Sequence, residues 1–204
     1  MIAIIDYGMG NLRSVEKALE KLGADVEIVS DAERLNLSDK AVLPGVGAFK
    51  DTMRGIEERG LGKVIREYID SGKPYLGICM GLQILFDESA EGGLNKGIGL
   101  FKGKVKRFKP CDRLKVPHMG WNQLKFQKSG SLCPLLKGIK DESYFYFVHS
   151  YYVAPADRGV IAGATNYGVE FTSMIWRENI YGVQFHPEKS QNVGLKMLKN
   201  FIDI

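Results

Sequence analysis

The stretch Tyr75-Leu76-Gly77-Ile78-Cys79-Met80-Gly81 runs from a strand directly into the start of a helix, and its reading decides the fold. Residues 75–78 have the unbroken apolar character of a strand buried on both faces, and a helix is expected to follow through Gln83, Ile84, Leu85 and Phe86. Between the two, Gly77-Ile78-Cys79-Met80-Gly81 has the form small-x-nucleophile-x-small. A sharp strand-to-helix turn needs glycines at those places because neighbouring Cβ atoms would collide, and it lifts the central residue above the sheet. The helix start beyond it favours an anion, so the Cys79 thiol is expected to reach its reactive thiolate more readily than a free cysteine. A lone cysteine is more often a small buried residue, but flanking glycines at a strand-to-helix junction favour the nucleophile.

Working outward, Ile2–Ile5 is another continuous apolar run, closed by Asp6-Tyr7-Gly8. Leu12, Val15, Leu19 and Leu22 then recur at helical spacing, with Gly23 where a C-cap glycine belongs. Strands follow at Val26–Val29 and Lys40–Leu43, the latter closed by Pro44-Gly45-Val46-Gly47, and amphipathic helices at about 49–59 and 61–71. Strands alternating with helices imply right-handed crossovers and a parallel sheet covered on both faces. From Gly97 the rhythm changes to short strand-like runs at 104–108, 122–126, 144–153, 160–164, 171–176 and 180–185, read as antiparallel or mixed, before a helix at about 192–202. The expected fold is a single α/β domain over residues 1–204, with a mixed, mostly parallel central sheet and helices on both faces.

Composition narrows the function. With 45% hydrophobic and 25% charged residues the chain is an ordinary globular one, and 28 basic against 24 acidic side chains argue for neither nucleic acid nor a membrane surface as partner. No apolar run approaches a membrane span and no basic leader precedes Ile2, so a cytoplasmic setting is expected. Three cysteines, Cys79, Cys111 and Cys133, form an odd set without metal-type spacing, against a disulfide framework and against a zinc site. Cys111 and Cys133 stand beside prolines and read as bystanders. Gly8-Met9-Gly10 follows a strand, but Arg13 occupies the place of the third glycine of a dinucleotide fingerprint, so no nucleotide cofactor is expected. Lys102, Lys104, Lys106, Arg107 and Lys109 alternate as on a strand with one solvated face rather than as a phosphate site.

A cysteine nucleophile needs a base and a group to orient it. Of the three histidines, His186 lies just past a strand in Gln184-Phe185-His186-Pro187-Glu188, where extended geometry puts His186 and Glu188 on one side. Pro187 stiffens that segment, so the pair suits an imidazole held in one tautomer by a carboxylate. His149, within the aromatic run 144–152, reads as a hydrogen-bonded structural residue. His118 is left open.

The elbow 77–81, the Pro44-Gly45-Val46-Gly47 turn and His186-Pro187-Glu188 resemble, in order and spacing, the class I (triad) glutamine amidotransferases. Within that family Asp6-Tyr7-Gly8-Met9-Gly10-Asn11, Met119-Gly120-Trp121-Asn122, His149-Ser150-Tyr151 and His186-Pro187-Glu188-Lys189-Ser190 are similar to the glutaminase subunits of imidazole glycerol phosphate synthases. The resemblance covers essentially the whole chain. It implies that Cys79 attacks the side-chain amide of glutamine, that His186 carries the proton to the departing ammonia, and that Glu188 orients His186. It further implies an oxyanion hole from the Met80 amide and the Val46–Gly47 turn, whose glycines would let a peptide flip. Losing one such donor typically costs about 10² to 10³ in rate, so a flip under a partner's control would act as a switch. Gln83, Ser150 and Tyr151 are the implied holders of the substrate's α-amino and carboxylate groups.

By the same resemblance, ammonia passes to a separate cyclase subunit, whose products are imidazole glycerol phosphate, for histidine, and an aminoimidazole carboxamide ribotide. Asn11, Trp121 and Lys189 are the implied contacts with that cyclase, although Trp121 suits core packing equally. The length of 204 residues accommodates the glutaminase and leaves no room for an ammonia-accepting synthase, so a partner is expected. The alternatives are the glutaminase of another synthase, such as the pyridoxal phosphate or anthranilate systems, and a non-catalytic interaction protein.

Overall fold

A computed structural model of the chain describes residues 1–109 and 114–204. Its first half runs β1 (Ile2–Ile5), α1 (Leu12–Lys21), β2 (Val26–Val29), α2 (Ala32–Leu37), β3 (Lys40–Gly45), α3 (Phe49–Glu58), α4 (Leu61–Asp70) and β4 (Tyr75–Cys79). These strands lie in the order β2-β1-β3-β4 and pair in parallel. Parallel neighbours require crossovers, which the helices supply. The continuous apolar runs are explained by burial on both faces. Ile2 and Ile4 join one core with Val15, Leu19 and Phe201, whereas Ala3 and Ile5 join another with Leu35, Ile56 and Ile65.

The second half contains α5 (Met80–Gln83), β5 (Phe86–Ser89), β6 (Asn95–Lys96), β7 (Phe101–Arg107), β8 (His118–Phe126), β9 (Ser143–His149), β10 (Tyr151–Pro155), β11 (Ile161–Asn166), β12 (Glu170–Arg177), β13 (Ile180–Val183) and α6 (Gln191–Ile202). Strand β13 extends the parallel sheet beside β4, and β12, β10, β7, β5 and β6 continue it outward. The β8–β9 hairpin is joined on through β11. The expected α/β class holds, with a parallel centre and a mixed extension.

Two local expectations are corrected. The helix after the elbow stops at Gln83 instead of running to Phe86. The carbonyls of Ile84, Leu85 and Phe86 accept the amides of Ile98, Leu100 and Gly99, so residues 84–86 pair with a returning segment instead of continuing the helix, and Phe86 opens a strand. The run 144–153 is two strands, because β9 pairs with β8 while β10 pairs with β7 and β12. Ser150 is the break, its carbonyl accepting the Phe108 amide at 3.1 Å. Helix α2 escapes a periodicity reading because it buries only Leu35; the Asp31 carboxylate, accepting the Arg34 amide, starts it.

The basic strand is a solvated face: Lys102 pairs with Asp87 at 3.1 Å and Lys104 with Glu88 at 2.7 Å while Val105 points inward. Among the described residues no helix is long and apolar enough to cross a membrane.

The tightest approach in the sheet is that of the elbow to β3. A Cβ on Gly81 would stand 1.9 Å from the Leu43 carbonyl oxygen, which is backbone and cannot swing aside. Gly81→Ala is therefore expected to destabilise the fold by about 2 kcal/mol or more, read as a lower urea midpoint at unchanged slope.

Candidate active site

Register brings the site together. Gly45 pairs with Cys79 across β3–β4, and Val183 with Ile78 across β13–β4. The Val46–Gly47 turn, the elbow and the segment leading to His186 therefore emerge side by side at the carboxyl ends of three parallel strands. Cys79 itself has φ 54° and ψ −103°, a sparsely populated conformation for a residue with a side chain, costing on the order of 1–3 kcal/mol. That backbone makes the sharp strand-to-helix turn expected from sequence.

His186 lies three residues beyond the end of β13 and leads into a 3₁₀ turn, Pro187–Lys189. Its backbone amide donates to the Tyr146 carbonyl at 2.9 Å, and the Ser190 hydroxyl donates to its carbonyl at 2.6 Å. Its Nδ1 lies 2.8 Å from Glu188 Oε1, with both side chains almost fully buried. A carboxylate accepts only, so Nδ1 carries the hydrogen and Nε2 is left for chemistry. Nε2 makes no hydrogen bond of standard geometry; Cys79 acts on it through proximity. Burial by itself would lower the His186 pKa, but Cys79 and Glu188 together outweigh it and push it up to about 10.

The other cysteine differs. Burial pushes the Cys133 thiol up to about 12, where it stays protonated and unreactive. Cys111, the other expected bystander, lies outside the described residues.

A cavity of about 290 Å³ opens onto Cys79, and Val46, Gly47, Met80, Gln83, Ser150, Tyr151 and His186 all line it. Gly47 holds φ +98°, a conformation that a glycine allows at the turn. Glu188 sits behind His186 rather than at the cavity wall, as suits an orienting group. Asn11, Trp121 and Lys189 lie outside the cavity and are exposed. Trp121 is 46% exposed, edge-on to Tyr146, which decides against core packing.

Two residues at the cavity were not singled out from sequence. Glu91 lines it and accepts the Phe49 amide at 2.8 Å. Gln184, fully buried, donates through Nε2 to Cys79 Sγ at 3.5 Å. No motif flags Glu91, which lies in a loop, whereas Gln184 stands two places before His186. His149 is a buried, hydrogen-bonded residue as expected: its Nδ1 donates to the Tyr151 carbonyl at 2.8 Å and its Nε2 meets His118 Nδ1 at 2.9 Å.

The sequence model of the family described as "Glutamine amidotransferase class-I" matches residues 3–204, and the chain belongs to this family. It is 53% identical over 201 residues to "Imidazole glycerol phosphate synthase subunit HisH" of Desulfitobacterium hafniense (strain DSM 10664 / DCB-2), covering 98% of this chain and 93% of the relative. A protein of the same name from Syntrophotalea carbinolica (strain DSM 2380 / NBRC 103641 / GraBd1) is 49% identical over 210 residues, with 100% of both chains covered. A solved glutamine amidotransferase superposes with TM-score 0.76 at 17% identity, over 100% of this chain and 98% of that one. PurLQS from Thermotoga maritima gives 0.76 at 18%, over 99% and 97%. Both structures bear on the fold alone.

The buried histidine pair has a consequence for stability. Burial lowers the pKa values of His118 and His149 from the ordinary imidazole value of 6.5 to about 4 and about 3 respectively, so both stay neutral well below it. The unfolded chain binds those protons first, so their stabilising effect is complete above pH 6.5 and is lost as pH falls toward the folded values. Each imidazole can contribute up to about 1.4 kcal/mol per pH unit in that window. Urea unfolding at a series of pH values is expected to show a steeper acid loss for the wild type than for His118→Gln.

Proposed function

We propose that this chain is the glutaminase subunit of an imidazole glycerol phosphate synthase and that Cys79, His186 and Glu188 are its triad. The observation that carries this reading is the 2.8 Å contact of His186 Nδ1 with Glu188 at the cavity that holds Cys79. Cys79 passes its proton to His186 Nε2, and the thiolate attacks the side-chain amide carbon of glutamine. The resulting oxyanion is held by the Met80 amide and the Val46–Gly47 turn. His186 protonates the departing nitrogen, ammonia leaves and a thioester remains. His186 then takes a proton from water, whose oxygen displaces the sulfur to give glutamate. Each step uses one imidazole nitrogen while Glu188 fixes the other.

The polar cavity groups fit a free amino acid. Both amide hydrogens of Gln83 are engaged, on the Tyr151 carbonyl and Gln184, while its Oε1 is left without a partner. Gln83 Oε1 and the Glu91 carboxylate would take the α-ammonium, and the Ser150–Tyr151 segment the α-carboxylate.

Ammonia goes on to a cyclase subunit. On β8 and β9 one face is outward, and Met119, Trp121 and Tyr144 are exposed there while Val148 of the same face lines the cavity. The 3₁₀ turn bearing Lys189 packs against both β9 and α1, at whose start Asn11 lies. A partner covering this edge would meet all three expected contact residues beside the cavity mouth. Residues 1–204 are read as one amidotransferase domain acting in the cytoplasm, with no cofactor and no metal of its own.

With the cyclase present, Cys79→Ser is expected to abolish glutamine-dependent product while synthesis from ammonium salts persists; glutamine-dependent turnover in that variant would refute the assignment. Glu188→Gln should leave glutamine binding nearly intact and lower kcat by about 10² to 10⁴. A coupled glutamate assay and pull-down of the cyclase measure both halves.

A further inference from the structure

The triad leaves unused a set of buried polar side chains behind Cys79. Gln184 Nε2 reaches Cys79 Sγ at 3.5 Å, Gln83 Nε2 reaches Gln184 Oε1 at 3.0 Å and the Tyr151 carbonyl at 3.1 Å, and that carbonyl also receives His149 Nδ1 at 2.8 Å. His149 Nε2 lies 2.9 Å from His118 Nδ1, and His118 Nε2 lies 3.2 Å from Asn122 Nδ2. Gln184, Gln83, His149 and His118 are all buried, so solvent does not compete for these bonds.

We infer that Gln184 is a positioning residue for the nucleophile, donating a hydrogen bond that steadies the Cys79 thiolate, and that the Tyr151 carbonyl, acting through Gln83, fixes which end of its amide faces the sulfur. The inference rests on Cys79 being the nucleophile.

The direction of every bond follows from one backbone carbonyl. The oxygen of Tyr151 can only accept, so His149 Nδ1 and Gln83 Nε2 must both be donors. His149, neutral, then accepts at Nε2 from His118 Nδ1–H, and His118 accepts at Nε2 from Asn122. Gln83 spends its second hydrogen on Gln184, which must therefore present Oε1 to Gln83 and its N–H group to Cys79. The reversed amide would set an oxygen lone pair against a sulfur anion and set Gln83 donor against donor. Gln184 cannot drift, because its backbone amide donates to the Ser173 carbonyl at 2.9 Å. A hydrogen bond to a charged acceptor is about twice as strong as a neutral one, so this contact favours the thiolate over the thiol.

The test is the pH dependence of Cys79 alkylation by iodoacetamide in the full chain, beside kcat and KM for glutamine in the complex with the cyclase. Gln184→Met keeps length and volume and removes the donor. The titratable groups facing Cys79 are His186, with Glu188 behind it, Tyr7 after β1, Glu91 after β5 and His149 on β9; the substitution leaves all of them in place. The expected result is a midpoint higher by about one pH unit, with alkylation at pH 7 and kcat both lower by about tenfold and KM changed by less than about twofold. An unchanged midpoint in a folded Gln184→Met protein overturns the inference even if kcat has fallen. Should that variant fail to fold, Gln184→Asn withdraws the donor by one methylene and is read in the same way. Wild-type protein alkylated at Cys133 as fast as at Cys79 would instead remove the nucleophile assignment, and the inference with it.

Discussion

Everything reactive in this molecule depends on how closely the elbow lies against β3. Cys79 holds its left-handed backbone between two glycines, each two places away, where no Cβ would fit: Gly77 lies against the Gly81 carbonyl and Gly81 against the Leu43 carbonyl. That contact sets the height of the sulfur above the sheet and its separation from the Val46–Gly47 turn at the end of the neighbouring strand. Strand β13, paired with β4 on its other side, delivers His186 to the same edge. Three adjacent parallel strands thus bring Cys79, the Val46–Gly47 turn and His186 to one edge of the sheet, with helices packed on both faces.

The chemical asymmetry of the site comes from which groups have partners. His186 and His149 are both buried imidazoles, yet one is raised to about 10 and the other lowered to about 3. The difference lies in their neighbours. His149 has only a carbonyl and another neutral ring to bond, so burial decides its charge. His186 has a carboxylate on one nitrogen and the sulfur beside the other, and those outweigh burial. Cys133 shows burial winning again: sealed in the core, its thiol is pushed up despite backbone hydrogen bonds from Leu135 and Leu136 that would favour the anion.

Much of this was legible in the amino-acid sequence, for physical reasons that also explain what was not. The buried strand β1 announces itself as an unbroken apolar run at Ile2–Ile5, and β2, half-buried and carrying Glu27, still falls on Val26–Val29 as expected. Cys79, His186 and Glu188 were legible because elbow and turn geometry constrain their immediate neighbours. The short helix after the elbow and the break at Ser150 were not, since both arise from hydrogen bonds to segments far along the chain. Glu91 was invisible because a loop carboxylate has no periodicity. Gln184 sat in a quoted segment, but its role depends on a 105-residue separation from Cys79 being closed by folding.

The cavity's modest size has a further meaning. A strong sulfur nucleophile in a cell is surrounded by glutamine residues of other proteins, each bearing the same side-chain amide. A space of about 290 Å³, lined by the elbow, the glycine turn and the His149–Tyr151 segment, lies at the small end of ligand sites, on the scale of a single amino acid. For the proposed reaction, the size of the space would favour a free amino acid over a larger partner alongside any recognition by polar groups.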